Sequence, residues 1–221
     1  MSVSYFLGKT ALTEFWDKTA EKIVFLGAWC LRYDREGDWQ GLNHEILPHP
    51  WYDRRAMHQA ARLEEELYEE MLPLLGEFLN EAHGEKHREQ YWRIILGPWL
   101  LHYIQVLHER YLCLKLALER YPNIQTMGLA DSSFRIPRFF WDHLHGCTDD
   151  PYNLQLYTVI LKAMGYPPPT REYNWGWEDS TPSMPGSSGP LWKRLGRRLK
   201  PLWRQCESLW GKRAPILLVD M

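Results

Sequence analysis

Cysteine is scarce in this chain. Four cysteines among 221 residues, Cys30, Cys113, Cys147 and Cys206, lie far apart and form no Cys-x-x-Cys pair. That spacing excludes a disulfide framework and a thioredoxin-like motif, and it suits reduced thiols in a cytoplasmic protein. Long apolar runs are also missing: the longest, Ile94 to Leu101, falls far short of the roughly 20 residues that span a bilayer. Lys9, Glu14 and Asp17 interrupt the region where a secretory signal needs an unbroken apolar core. No complete metal-ligand set is present either. His83-x-x-x-His87 and His143-x-His145 followed by Cys147 each fall short of the four ligands of a structural zinc site, so no metal is expected. The chain carries no nucleic-acid-binding motif and no internal repeat, so nucleic acid is not an expected partner.

Aromatic residues, in contrast, are abundant. Twelve Trp and twelve Tyr in a chain that is 45% hydrophobic and 24% charged describe one or two globular domains rich in large rigid side chains with a polar tip. The net charge of −2 hides an uneven distribution. Residues 191 to 213 hold eight Lys or Arg against the single acid Glu207, leaving 18 basic and 26 acidic residues up to position 190. Within 191 to 213, Trp192, Leu195, Leu199, Trp203 and Trp210 stand largely apart from the basic residues, the composition of an amphipathic segment lying on an anionic membrane. Docking on the acidic body is the competing reading.

The pattern along the chain predicts an α/β fold, mostly long helices around a small parallel sheet. Ile23 to Ala28 is β-branched and apolar on both faces, as a buried parallel strand is. Helical spacing predicts helices over about 53–82 and 88–120. A third follows Asp150-Pro151, with Asp150 as cap and Gly165 as stop, and a weaker one lies around Pro137 to His145. The first domain is placed at 1–165. Residues 166–190, with six prolines among Ser and Gly, read as a linker. Ala214 to Asp220 resembles the opening strand of a further α/β unit, so the chain is expected to be the front portion of a longer protein.

Several places invite a ligand. Trp29 stands at the carboxyl end of the predicted strand, where open α/β sheets gather ligands, although it could equally plug the sheet end. In Pro48-His-Pro-Trp-Tyr-Asp-Arg-Arg55, Trp51 or Tyr52 could stack on a sugar and Arg54 or Arg55 could hold a phosphate; the same residues also suit a helix start capped by Asp53. The segment from Tyr91 to His102 carries Trp92, Arg93 and Trp99 around Gly97-Pro98. In a helix interior that pair costs roughly 1 and 3 kcal/mol against Ala, and a built pocket would account for it. On the same predicted helix His102, Gln105 and Glu109 form a polar stripe, and on the helix predicted over 53–82 the acids Glu64, Glu65, Glu66, Glu69 and Glu70 read as a solvated face.

Four blocks, Phe25 to Cys30, Ile46 to Arg54, Tyr91 to Leu101 and Asp149 to Tyr157, resemble in order a bacterial family of transferases of O-antigen biosynthesis, over roughly residues 5 to 165. The resemblance implies a two-domain, GT-B-like glycosyltransferase of lipopolysaccharide assembly, of which this chain matches the N-terminal, acceptor-side portion. It further implies a nucleotide-sugar donor held by a rear domain beyond Met221, and no other cofactor. The acceptor would be a carbohydrate or lipid-linked carbohydrate, handled in the cytoplasm or at the inner face of the membrane, and this chain alone would be incomplete and inactive. The residues so assigned to substrate binding are Trp29, Trp51, Asp53, Arg54, Tyr91, Trp92, Arg93, Trp99 and Asn153; no catalytic base is assigned. At His49-Pro50-Trp51-Tyr52-Asp53 the sequence departs from the fuller aromatic-acidic pattern usual in the family.

Overall fold

The computed structural model describes residues 4–177. Three short strands, β1 (Tyr5–Gly8), β2 (Lys22–Phe25) and β3 (His44–Ile46), pair in parallel with β2 in the centre. A pair formed by β4 (Gly128–Leu129) and β5 (Thr170–Arg171) is also parallel. Hydrogen bonds join the two. The Gln125 amide donates to Tyr5 O and the Leu7 amide to Gln125 O, whereas the Gly128 and Ala130 amides donate to Pro169 O and Arg171 O. Odd and even residues of an extended strand turn their backbone groups to opposite sides. The stretch from 125 to 130 is therefore flanked by β1 and β5, and the ladder reads β3-β2-β1-β4-β5. That order places a doubly-wound switch point between β1 and β4.

The sheet is buried on both faces, as parallel sheets are. Leu7, Val24, Leu26 and Leu47 face Cys113, Leu114, Ala117, Tyr157 and Leu161. These belong to α3 (Glu89–Arg120) and α5 (Asp150–Ala163). On the other face Phe6, Ile23 and Phe25 meet Trp16 and Cys30 from the loops, with Trp39 of α1 (Glu36–Trp39) at the margin. The strand predicted over 23–28 closes early, because Ala28–Cys30 form a 3-10 turn. Gly27 permits this: a Cβ there would stand 2.1 Å from the Trp29 ring, which folds back over it.

Between β3 and β4 the chain makes a long helical hairpin, α2 (Arg54–His83) with α3. Gly84, at φ 68°, closes α2 in the left-handed conformation that glycine tolerates. Leu72, Leu75, Leu100 and Ile104 form the seam. Gly97 serves this packing: a Cβ there would lie 2.6 Å from the Tyr68 hydroxyl oxygen, while Pro98 faces outward. Close approach of α2 compensates for glycine's helix penalty. α4 (Phe140–Gly146) follows β4, and α5 returns to the sheet.

Two further expectations change. Asp150 is the first residue of α5 and its carboxylate accepts from the Ala11 amide at 2.8 Å, so it ties the helix to the end of β1 while Asp149 takes the cap position. The front of the supposed linker is packed: β5 joins the sheet, and the indole N–H groups of Trp175 and Trp177 donate to Ser133 O and Ile136 O. Three aromatics at alternate positions, Tyr173, Trp175 and Trp177, supply the buried surface that the prolines before them cannot. The remainder of that segment, the basic stretch 191–213 and the strand expected at 214–221 lie outside the described residues.

Candidate functional site

The carboxyl ends of the strands deliver Lys9 after β1, Trp29 after β2 and His49 after β3. One wall above them comes from α3, which presents Glu109 and Arg110, and another from the first turn of α5, which presents Asn153. His49 begins a 3-10 turn (Pro50–Tyr52), and its Nδ1 accepts the Trp51 amide at 3.2 Å. The proton accordingly sits on Nε2, which donates to Glu109 Oε1 at 3.0 Å. Oε1 of Glu109 also accepts from the Cys113 thiol at 3.1 Å, and Oε2 accepts from Arg110 Nη1 at 2.5 Å. Arg110 continues the network: Nε and Nη2 donate to Asn153 Oδ1 at 3.0 and 2.7 Å, and Nη2 also to Cys147 O. The Asn153 amide is fixed by its own donations to Cys147 O and Asp149 O.

Glu109 and Arg110 are largely withdrawn from solvent. A charge pair so placed is stable only with nearly all its lone pairs and protons used, and here they are. With both ring nitrogens of His49 engaged, the imidazole cannot take a substrate proton without first breaking one of these bonds. The network acts as a fixed polar floor. Aromatic walls stand around it: Trp29, 40% exposed, meets the His49 ring edge-on at 6.0 Å, half-buried Trp51 does so at 6.0 Å, and exposed Tyr52 at 6.4 Å. Trp29 is held by donation from its Nε1 to Lys9 O at 3.0 Å. Trp51 also meets His108, whose Nδ1 is 2.8 Å from Glu64 Oε1.

Below the floor, burial lowers the Lys9 ammonium to about 7. Its Nζ donates to Met127 O at 2.8 Å and to the Thr126 hydroxyl, clamping β1 to the chain entering β4 at the switch point. Burial raises the Cys30 and Cys113 thiols far above their ordinary range, which makes both poor nucleophiles. A cavity of about 660 Å³ opens elsewhere, beside residues 124–127 and 166–169. Its walls are largely apolar, and the Arg171 guanidinium on its rim is turned to the Glu14 carbonyl.

The model of one family, described as LIC12162 family transferase, matches residues 5–182. The chain belongs to that family. No curated protein and no solved structure matches it. The family's name gives group transfer as the reaction class.

In this transferase family member the nine sequence-assigned residues fall into two groups. Trp29, Trp51, Asp53, Arg54 and Asn153 lie at or next to the carboxyl edge of the sheet. Asp53 caps α2, its Oδ1 accepting the Arg55 amide at 2.8 Å, and Arg54 is exposed on the first turn. Asn153 reaches the site through Arg110. Tyr91, Trp92, Arg93 and Trp99 are brought together elsewhere, on the α2–α3 hairpin. Trp92 is 8% exposed, sealed against Gly76, with its Nε1 donating to Asn80 Oδ1 at 3.1 Å. Arg93 binds Glu69 with both Nη groups, at 2.7 and 2.6 Å, and Glu89 at 2.8 Å. Tyr91 stacks on His87 at 3.9 Å, and Trp99 on Tyr103 at 5.3 Å.

Sequence reasoning passed over Lys9, Glu64, His108 and Arg110. The polar stripe held the usable signal: His102 and Glu109 face inward, whereas Gln105 is exposed. Glu64, taken with the solvated acids, is 6% exposed, its Oε1 engaged by His108 on the facing helix, while Glu65, Glu66, Glu69 and Glu70 are exposed as expected.

Proposed function

We propose that the group transferred is a sugar, and that this chain supplies the acceptor side of a glycosyltransferase building O-antigen or a related surface polysaccharide. The acceptor is a carbohydrate or its lipid-linked precursor, and the donor is a nucleotide sugar. The reading is carried by one observation: two partly exposed indoles, Trp29 and Trp51, flank an imidazole locked to an ion pair at the carboxyl edge of a parallel sheet. Indole faces stack on the apolar faces of sugar rings, and the locked network beneath holds those faces in place. Arg54 suits the phosphate of a lipid-linked acceptor. Contact of residues 191–213 with anionic lipid at the inner face of the membrane belongs to the same proposal, and co-sedimentation with anionic vesicles, with and without those residues, tests it.

Short O-antigen oligosaccharides and methyl glycosides titrated into the purified chain should quench tryptophan fluorescence. Trp29→Ala and Trp51→Ala should each weaken that binding about tenfold or more, on the scale of 1–3 kcal/mol for a lost aromatic contact. A UDP-sugar titrated alone should give no signal. Equal affinity in both variants and wild type would remove the reading.

A non-catalytic interaction module has one observation in its favour. Ile94 is 69% exposed and its neighbour Ile95 56%, adjacent apolar side chains turned to solvent that suit a protein partner. Ile94→Lys with Ile95→Lys should leave glycan quenching unchanged if transfer is the function.

A further inference from the structure

His102 of α3, His143 of α4 and Cys147 just after α4 converge on one point. His102 Nδ1 lies 3.1 Å from His143 Nε2, and Cys147 Sγ lies 3.8 Å from the same nitrogen. The three donor atoms all fall within 4.8 Å of one another. A tetrahedral zinc-type ion, with bonds of about 2.0–2.1 Å to nitrogen and 2.3 Å to sulfur, needs donors roughly 3.3–3.6 Å apart. Small side-chain shifts suffice to reach that.

The surroundings add an independent argument. His143 is 1% exposed, and its Nδ1 lies 3.2 Å from the hydroxyl of Tyr152, which is equally buried. With Nδ1–H donating to that oxygen, the Nε2 lone pair is left for His102; Cys147 Sγ, 3.8 Å from Nε2 and 4.0 Å from Nδ1, stands beside the ring, and a turn of its side chain brings it to a shared ion. A fixed partner on the far ring nitrogen is how proteins orient metal-binding histidines. His102 and Cys147 are only partly buried, which leaves a path from solvent. The other convergence of this kind, His49, Glu109 and Cys113, is less suited to a cation, because Arg110 already occupies the Glu109 carboxylate.

We propose that His102, His143 and Cys147 bind one divalent transition-metal ion of the zinc class, with a coordination position left open to solvent or ligand. Two imidazoles and a thiolate favour a borderline-soft ion over magnesium or calcium. Three protein ligands with an open position distinguish a reactive zinc site from a closed structural one. His102 precedes Glu109 by seven residues, about 10.5 Å along α3 at 1.5 Å per residue, so the ion would border the polar floor. The proposal stands apart from the sugar reading, since a metal titration reads it without any transfer.

The test uses the full chain, stripped with chelator, and Co²⁺ as probe. One equivalent should bind and give a thiolate-to-cobalt charge-transfer band, and Zn²⁺ should displace it. Cys147→Ser should abolish the band and His102→Ala should weaken binding more than tenfold, whereas Cys206→Ser and His145→Ala should leave both intact. Tyr152→Phe should weaken binding about 10- to 100-fold while keeping the band, as removal of an orienting partner does. Should a variant fail to fold, zinc must still protect Cys147 from alkylation in the wild-type chain. Cobalt binding without a thiolate band, a band that survives Cys147→Ser, or unprotected Cys147 would each overturn the site.

Discussion

At the scale of single residues, the polar floor depends on Arg110, which joins Glu109 to Asn153 and the Cys147 carbonyl. Arg110→Met would leave the Glu109 carboxylate with only His49 and the Cys113 thiol, and should destabilise the fold by about 3–5 kcal/mol, as removal of one partner from a buried pair does. Denaturant unfolding measures this. Arg110→Lys should recover only part of the loss, because an ammonium cannot reproduce the guanidinium's fork. Lys9 gives a second prediction, one of pH. Burial lowers its native-state value to about 7, from 10.5 in an exposed lysine. Below pH 7 both folded and unfolded chains hold the proton, and the burial penalty is at its full size. Between about 7 and 10.5 the unfolded chain binds more protons, so the Lys9 contribution to stability rises with pH. Urea midpoints at pH 7 and 9 should therefore climb in wild type relative to Lys9→Met; parallel behaviour of the two would contradict a buried, depressed lysine. Neither role was legible beforehand, since Arg110 depends on Asn153 and Lys9 on Thr126 and Met127, all far away in sequence.

At the scale of elements, the helices were legible and the reasons for their irregularities were not. Period and termination signals located α2 and α5 to within a few residues, because an amphipathic helix writes its core face into turn after turn, and α3 was found by the length of its apolar, helix-forming run. Gly97 and Trp92, in contrast, are explained only by what α2 places opposite them. Trp92→Ala should cost about 3–5 kcal/mol by opening a cavity in the seam, without changing glycan quenching at Trp29 and Trp51; lost binding in a folded variant would return Trp92 to the site. Gly97→Ala should destabilise by roughly 1–3 kcal/mol through its clash with the Tyr68 hydroxyl. In a Tyr68→Phe background the same change should be neutral or stabilising, since alanine gains about 1 kcal/mol over glycine in a helix. Thermal melts of the four members of this cycle measure the coupling. Equal effects of Gly97→Ala in both backgrounds would show that close approach is not what keeps glycine there.

At the scale of the whole molecule, the α/β class was readable, but the extent of the sheet was not. β2 announced itself as an apolar run with no polar alternation. β4 and β5 are two residues each, too short for any periodic signal, and β5 follows Pro167, Pro168 and Pro169, which read as the start of a linker. Yet the chain after those prolines adds an edge strand and then lays Trp175 and Trp177 against Tyr152 and the entrance to α4. This C-terminal arm shares Tyr152 with the proposed metal ligand His143 and so backs the region beside the candidate site. If the arm is part of the folded unit, ending the chain after Gly165 should expose the Gly128 and Ala130 amides, which donate to Pro169 O and Arg171 O. Their hydrogen exchange should accelerate toward the rate of unfolding, and melting should fall. The Ile23 and Leu26 amides, bonded to Asn43 O and Gly8 O in the centre of the sheet, should keep the slow exchange set by global stability. Unchanged protection at Gly128 and Ala130 in the shortened chain would make residues 166–177 the tether their composition suggests.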